Sequence, residues 1–488
     1  MSLPRDMCPM RPRVTLLDTD MTDIKSNVPA NQNEGSLAKR FLRGTEIDTR
    51  LLGMFAALLL IWIGFHIFPG LRTFVYALGG AVFMGEGTIG DAAALLNPAT
   101  IWDGGVFLTP RNLWNLSVQT SSIGIMATGM VLVIITRNID LSVGAIVGVT
   151  AMIMGLVQVE VLPQYLGIGH PLIWVITAII GITLGAVIGA FHGWLIAYRG
   201  IPSFIVTLGG LLIWRGAAFL SASGRTISPV DSTFQLLGGG PYGAVGAMGS
   251  WIVGALACAA ILWMLYTGRQ SRKNYGFPLR PIWAEMFMAA VGCGLVLGAV
   301  LLVNAYPWPK GIIEQYAAAN NIVVPEEGIF ISHGFAIPVL IMLGVAIGMT
   351  LLMTRTRFGR YVFAIGGNPE AAALSGINVR WMTLRIFSLM GALAGLSGVV
   401  ASARLNSATN ALGMLDELYV IAAAVIGGTS LAGGVGTIYG AILGALVMQS
   451  LQTGMVLIGF DSAVQQIVVG GVLVFAVYLD NLYRSKAK

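Results

Sequence analysis

Runs of leucine, isoleucine, valine and alanine recur along this chain, separated by short polar turns, and most are close to twenty residues long. A helix needs roughly 20 apolar residues to cross a hydrocarbon slab about 30 Å thick. Runs of that kind fall near 51–68, 117–136, 141–159, 172–197, 201–220, 249–267, 283–305, 335–353, 384–403, 419–435, 437–457 and 463–480. They predict an all-α integral membrane protein, a polytopic bundle of about 10–12 transmembrane helices. The runs near 201–220 and 419–435 are rich in glycine and hydroxyl residues. Either is open to being a broken or re-entrant segment lining a cavity, not a plain span.

Composition agrees with the pattern. Of 488 residues 56% are hydrophobic and 10% charged, with a mean hydropathy of +0.80, a balance that a water-soluble fold would have to expose. The formal charge of +6 needs no nucleic acid to explain it, because lysine and arginine gather on cytoplasmic loops of membrane proteins. Clusters at Lys39, Arg40, Arg43 and Arg50, at Arg269, Arg272, Lys273 and Arg280, at Arg355, Arg357 and Arg360, and at Arg484, Lys486 and Lys488 therefore mark the cytoplasmic side. Loops around 70–116, 160–171, 221–248 and 306–334 hold acids and few lysines and fall on the opposite side. Twelve crossings close the alternation with both termini in the cytoplasm. Residues 1–50 lack an apolar period and read as a disordered cytoplasmic tail, with Met21 an alternative start. The remainder, 51–488, forms the transmembrane domain, in which the hairpin 249–305 looks like an addition to a core. Of the cysteines Cys8, Cys258 and Cys293 none has metal-ligand spacing, and no disulfide is expected.

One polar stretch stands out among the apolar runs: "GGNPEAAALSGINV", Gly366 to Val379, within a segment 355–380 on the basic side. Asn368 suits an N-cap, Pro369 the first helical position and Glu370 the first turn, where unpaired N–H groups favour a negative charge. Ala371, Ala372, Ala373 and Leu374 propagate a helix of about two turns, and Gly376 can end it in a left-handed cap. So short a helix is marginal unless something packs on it. Ala371 and Leu374 give it a small apolar stripe, suited to a groove on another protein or to its own membrane domain.

Other constellations are less specific. In "TRNIDLSVGA" Arg137, Asn138, Asp140 and Ser142 lie between two spans. There Arg137 and Asp140 can pair, Asp140 can cap the following helix, or the group can contact substrate. Ser203, Thr207 and Arg215 belong to "GIPSFIVTLGGLLIWRG". An arginine deep in an apolar run is costly unless paired, at the interface or facing water. "VIGGTSLAGGVGT", with Gly427, Gly428 and Thr429, reads either as close helix packing or as unwound backbone beside a cavity. His192 sits alone in an apolar run and reads as a structural histidine. No Ser/His/Asp set is visible, and without a single Gly-Lys pair the chain has no phosphate-binding loop of the G-x-x-x-x-G-K-[ST] kind.

The motifs "FLTPRNLWNL", "IDLSVGA", "PSFIVTLGG", "TRFGRYVFAIGGNPEAAALSGINV" and "VIGGTSLAGGVG", in that order over about residues 105–480, resemble the membrane permeases of bacterial sugar ABC importers in the ribose, arabinose and xylose branch. The extra hairpin with a basic inner loop is most like the D-xylose permeases. The resemblance implies a multi-pass protein of the bacterial inner membrane, working as a homodimer with cytosolic ATP-binding subunits and a periplasmic sugar-binding protein. It implies a translocation pathway for a monosaccharide, a pentose such as D-xylose. ATP and Mg would then lie on the partner ATPase, with no cofactor in this chain. It assigns Gly366, Gly367, Asn368, Glu370, Ala371, Ala372, Leu374, Gly376 and Ile377 to the cytoplasmic coupling segment. His192 stands where the family pattern leads one to expect a small amide, and the outer loops are long for it. A proton-coupled sugar transporter is the alternative, along with an uncoupled channel. The first normally needs an acid within a span, and mid-span acids are absent from the runs above, Glu285 lying close to a span end.

Overall fold

The computed structural model describes residues 41, 44–46, 48–79, 81–82, 97–325 and 328–485. Residues 1–40, most of the expected tail, lie outside the described residues. Among those described, ten helices are long and apolar enough to cross a membrane. They are α1 (Thr49–Gly79), α2 (Pro110–Ile135), α3 (Val143–Leu156, continued through a π turn to Leu166), α4 (Leu172–Arg199), α5 (Ser203–Ser221), α6 (Gly246–Asn274), α7 (Ile282–Asn304), α8 (Ile337–Arg355), α11 (Val379–Leu405) and α13 (Ile438–Leu457). Between α8 and α11 lie the short helices α9 (Arg357–Gly367) and α10 (Pro369–Leu374). α12 (Asp416–Ile426) is a half-length helix, and α14 (Ser462–Ser485), apolar over Ser462–Tyr478, closes the chain.

The two glycine-rich runs take different forms. Residues 203–221 form the plain helix α5, whereas the run near 419–435 becomes α12 followed by a non-helical loop from Gly427 to Thr437. With 11 residues α12 is about 16 Å long, roughly half the hydrocarbon thickness. It returns the chain to the basic end of the bundle, so that residue 48 and residue 485 lie at the same end.

That end gathers the turns 136–142, 200–202, 275–281, 356–378 and 427–437, tied together by contacts such as Gly434 N–H to Ile135 O at 3.0 Å. The opposite end gathers 222–245, 305–336 and 406–412. Here Val245 N–H donates to Phe335 O, and Ile227 pairs with Ala408.

The buried centre is built on α2, α3, α4, α11, α12 and α13. α4 and α11 form its closest seam. Gly181, Gly185, Gly189 and Gly193 recur every fourth residue on α4, and a Cβ at each of the last three would collide with or crowd the α11 backbone at Gly391, Phe387 or Leu384. In reverse, a Cβ at Gly391 or Gly395 would strike the α4 backbone at Gly185 or Gly181. Lipid tails give no hydrophobic drive for helices to associate, so close backbone approach and dense van der Waals contact supply the association.

α6 and α7 form the extra hairpin and are largely exposed. The end of the N-terminal segment fastens the hairpin at the basic end. Phe41 packs edge-on against Phe287 and near Trp283, and Glu46 Oε2 takes Arg272 at 2.6 Å and Arg280 at 2.8 Å. Hydrogen bonds from Arg272 and then Arg280 hold the Glu46 carboxyl down to about 2. A lowered carboxylate keeps its stabilisation above its ordinary range and loses it only as pH falls toward that value, so the clamp is fully charged near neutrality. The Glu46 side chain is 44% exposed, and each such pair is worth only about 0.2–1 kcal/mol. Within the hairpin Glu285 pairs with Arg269 at 2.7 Å, which accounts for that acid near a span end.

Replacing Gly189 with leucine is expected to cost about 1–3 kcal/mol by overpacking, lowering the thermal unfolding midpoint in detergent. Gly209→Ala on α5, where a Cβ meets nothing within 4 Å, should leave the midpoint within error of the native chain.

Candidate functional site

At the basic end, α10 is built as its spacing predicts. Asn368 Oδ1 accepts from the N–H groups of Glu370 and Ala371, both at 3.0 Å, and Pro369 occupies the first turn. The helix ends with Gly376 at φ +89, while Gly376 N–H donates to Ala373 O and Ile377 N–H to Ala372 O, a Schellman cap. Ala372 is buried against the bundle, Ile377 is half-buried, and Glu370, Ala371, Ala373 and Leu374 face outward. Leu374 is 90% exposed, so the apolar stripe does not lie on the chain's own membrane domain.

The support beneath α10 is a junction of three segments. α2 ends with Arg137 N–H donating to Ile134 O and Asn138 N–H to Val133 O, again a Schellman cap. The left-handed residue in this cap is an arginine, Arg137 at φ +62; for a residue with a Cβ that conformation costs about 1–2 kcal/mol. Its guanidinium turns to α9, Nε donating to Gly366 O at 3.0 Å and Nη2 to Gly367 O at 2.5 Å. The expected pairing of Arg137 with Asp140 does not form. Asn138 instead turns back to the Thr136 carbonyl at 3.1 Å.

Asp140 belongs to a separate buried network. Its Oδ1 accepts from Ser142 N–H at 2.9 Å and from Ser142 Oγ at 2.6 Å, and Ser142 Oγ lies 3.2 Å from His192 Nδ1. Trp214 Nε1, which can only donate, reaches His192 Nε2 at 2.9 Å. This fixes Nε2 as acceptor and puts the ring proton on Nδ1, so His192 donates to Ser142 and Ser142 to Asp140. Ser142, not Asp140, is the residue at the start of α3. Ser203 and Thr207 serve the same non-helical stretch: Ser203 Oγ accepts from Ile139 N–H, and Thr207 Oγ1 donates to Ile139 O at 3.3 Å. Acids do sit inside the bundle: Asp140 is 1% exposed and Glu417, in the first turn of α12, is 7% exposed. The apolar runs missed them because one lies between two runs and the other just ahead of a run.

Arg215 neither snorkels nor pairs. Nη1 donates to Asn410 O at 3.0 Å and Leu412 O at 2.8 Å, and Nη2 to Gly413 O at 3.1 Å. It holds the irregular segment that leads into α12. At the far end of α12, Gly428 at φ +85 lets Thr429 N–H reach Ala424 O, and Gly427 packs on the backbone of Gly440. Both readings of this glycine segment apply: the backbone is unwound, and it packs closely.

A polar cavity of about 470 Å³ opens between α2, α11, α12 and α13. Asn112, Asn115, Gln119 and Ser122 give one wall, Gln449, Gln452 and Thr453 another, and Arg404 and Asp416 the floor. Gln449 Nε2 donates to Gln119 Oε1 at 3.0 Å. An adjoining hollow of about 230 Å³ shares Asn115, Gln119 and Arg404. Of the nine residues singled out from sequence, Asn138, Asp140, Ser142, Ser203, Thr207, Arg215, Gly427, Gly428 and Thr429, none lines this cavity. Sequence reasoning missed the lining, although the spacing of Asn112, Asn115, Gln119 and Ser122 is a polar stripe at helical period.

Comparison with known proteins decides what kind of protein has this geometry. Residues 112–280 and 275–477 match the family described as "Branched-chain amino acid transport system / permease component". The xylose transport system permease protein XylH of Escherichia coli K12 is 37% identical over 373 residues, 76% of this chain and 85% of the relative. The ribose import permease protein RbsC of the same strain is 33% identical over 368 residues, 75% and 84% respectively. The galactose/methyl galactoside import permease protein MglC of Salmonella typhimurium LT2 is 30% identical over 385 residues, 77% and 87%. The chain belongs to this permease family. No solved structure matches it. The permease is therefore a subunit of a sugar ABC importer, a transporter component and not an enzyme, and such importers include ATPase and binding-protein partners.

The permease should show the cavity to aqueous reagents. With Cys8, Cys258 and Cys293 replaced by serine, a cysteine at Gln452 is expected to react with a bulky hydrophilic thiol reagent at least tenfold faster than one at Ser142, which is fully buried. Equal rates would show that the cavity is not the wet face.

Proposed function

We propose that the chain is the translocation subunit of an ATP-driven importer in the bacterial inner membrane, carrying a monosaccharide, a pentose such as D-xylose, inward. Two copies of the permease form the pathway, each contributing its Asn112–Ser122 and Gln449–Thr453 walls. A periplasmic binding protein delivers sugar at the cavity end, and cytosolic ATP-binding subunits, which carry ATP and Mg, seat on α10. Both termini face the cytoplasm, a placement supported by the arginines at the α10 end. The pentose assignment rests on the likeness to XylH.

The single observation carrying this reading is the pose of α10: a capped, two-sided helix at the basic end, anchored by Ala372 and presenting Leu374 outward. An apolar anchor at the centre of an interface commonly accounts for about 2 kcal/mol or more. Leu374→Arg should leave expression and membrane insertion unchanged, since the side chain is almost fully exposed, while ATPase co-purification, uptake of labelled D-xylose and sugar-stimulated hydrolysis collapse. Glu370→Ala, removing a first-turn charge worth roughly 0.3–1 kcal/mol, should cause a partial loss. Normal ATPase binding and uptake by Leu374→Arg would contradict the reading.

A further inference from the structure

We infer that Arg137 is a positioning residue for energy coupling: it joins the α10 support to the half-helix α12, so that movement imposed on α10 reaches the floor of the polar cavity. This rests on the coupling reading of α10 and goes beyond it by naming the residue that carries the movement.

The junction is made of the ends of α2 and α9 and the glycine loop that follows α12. Arg137 supplies two hydrogen bonds to the α9 terminus, at Gly366 O and Gly367 O. The α2 terminus binds the loop through Gly434 N–H to Ile135 O at 3.0 Å. Glycines let the three meet. A Cβ at Gly366 would collide with the Ile135 carbonyl, and one at Gly433 would lie 2.6 Å from Arg137 Cγ and 2.8 Å from Gly366 O. Gly367 is followed at once by Asn368, the cap of α10, so little slack separates Arg137 from the coupling helix.

The loop leads back into α12, and the other end of α12 is the cavity. Leu412, Gly413 and Asp416 line it, and Arg215 of α5 holds the carbonyls of Asn410, Leu412 and Gly413. The segment leading into this short helix is thus held by Arg215 at the cavity, and the loop leaving it is held at the α2 terminus, by Gly434 N–H on Ile135 O and by Gly433 packed against the Arg137 stem, where Arg137 in turn binds α9. A helix of this length moves as a rigid unit, and a coupling route needs such an element shared by both sites.

The residue type strengthens the case. Arg137 occupies the left-handed position of a Schellman cap, the place that glycine fills at Gly376 and Gly428 in the same protein. Glycine would serve the backbone of α2 better. The guanidinium, not the backbone, is therefore the reason for an arginine there.

This gives a variant that separates fold from coupling. In proteoliposomes containing the permease, its ATPase and its binding protein, with D-xylose as probe, Arg137→Gly is expected to keep native thermal stability, ATPase co-purification and ATP hydrolysis. Sugar moved per ATP should fall roughly tenfold or more, within the usual range of coupling between sites. Arg137→Lys, which retains a donor, should recover part of it. A native sugar-to-ATP ratio in Arg137→Gly overturns the inference. So does loss of ATPase binding, which would make Arg137 a docking residue, and so does a loss of stability in step with transport, which would make it a structural cap. Leu374→Arg run in parallel separates the two levels: if it has no effect the coupling reading has failed, and if it alone has an effect only this inference has.

Discussion

In hydrocarbon every backbone N–H and C=O must be satisfied from within the protein, and two non-helical stretches of this chain meet that requirement inside the bundle. Residues 136–142 are held by Asp140, Ser142, Ser203 and Thr207, and residues 406–415 by the three bonds of Arg215. Much of the functional architecture follows from these two stretches. Because 406–415 is tied down, α12 can start deep in the bundle, with Glu417 packed beside Gly144. Because α12 spans only half the thickness, a polar hollow is left above it between α2 and α13. The glycine seam of α4 and α11 stabilises the frame around these breaks.

The two ends of the molecule are chemically different. One is basic and carries a capped helix with an exposed leucine; the other opens into amides and hydroxyls with a lone Arg404 and Asp416 at the floor. Amide and hydroxyl walls suit a neutral polyhydroxylated solute, which exchanges hydrogen bonds with water at little net gain. The interior acids Asp140 and Glu417 do not by themselves argue for proton coupling: Asp140 is bonded into the Ser142–His192 network, and the family to which the chain belongs consists of permeases of ATP-driven importers.

Features set by local chemistry were legible in the sequence. Span length follows from slab thickness, so the long helices could be read directly, and the caps of α10 could be read because Asn368 and Gly376 act on residues within their own turn. Features made by distant residues were not. The Gln119–Gln449 contact joins positions 330 residues apart, and neither glutamine looks unusual within its own run. Arg137 and Arg215 were noticed as charges, but their partners are backbone carbonyls, which have no residue-type signature. The four-residue glycine period of α4 was present in the sequence and is a known packing signal; it was obscured by the abundance of glycine throughout the chain.

The most direct test of the account is solute accumulation in sealed proteoliposomes containing the chain, its ATPase and its binding protein, with labelled D-xylose and ATP supplied on the appropriate sides. The account predicts uptake above the equilibrium level only when all three proteins and hydrolysable ATP are present. It also predicts no response to an imposed proton gradient. Equilibrating uptake by the chain alone, or accumulation driven by a proton gradient without ATPase, would contradict it.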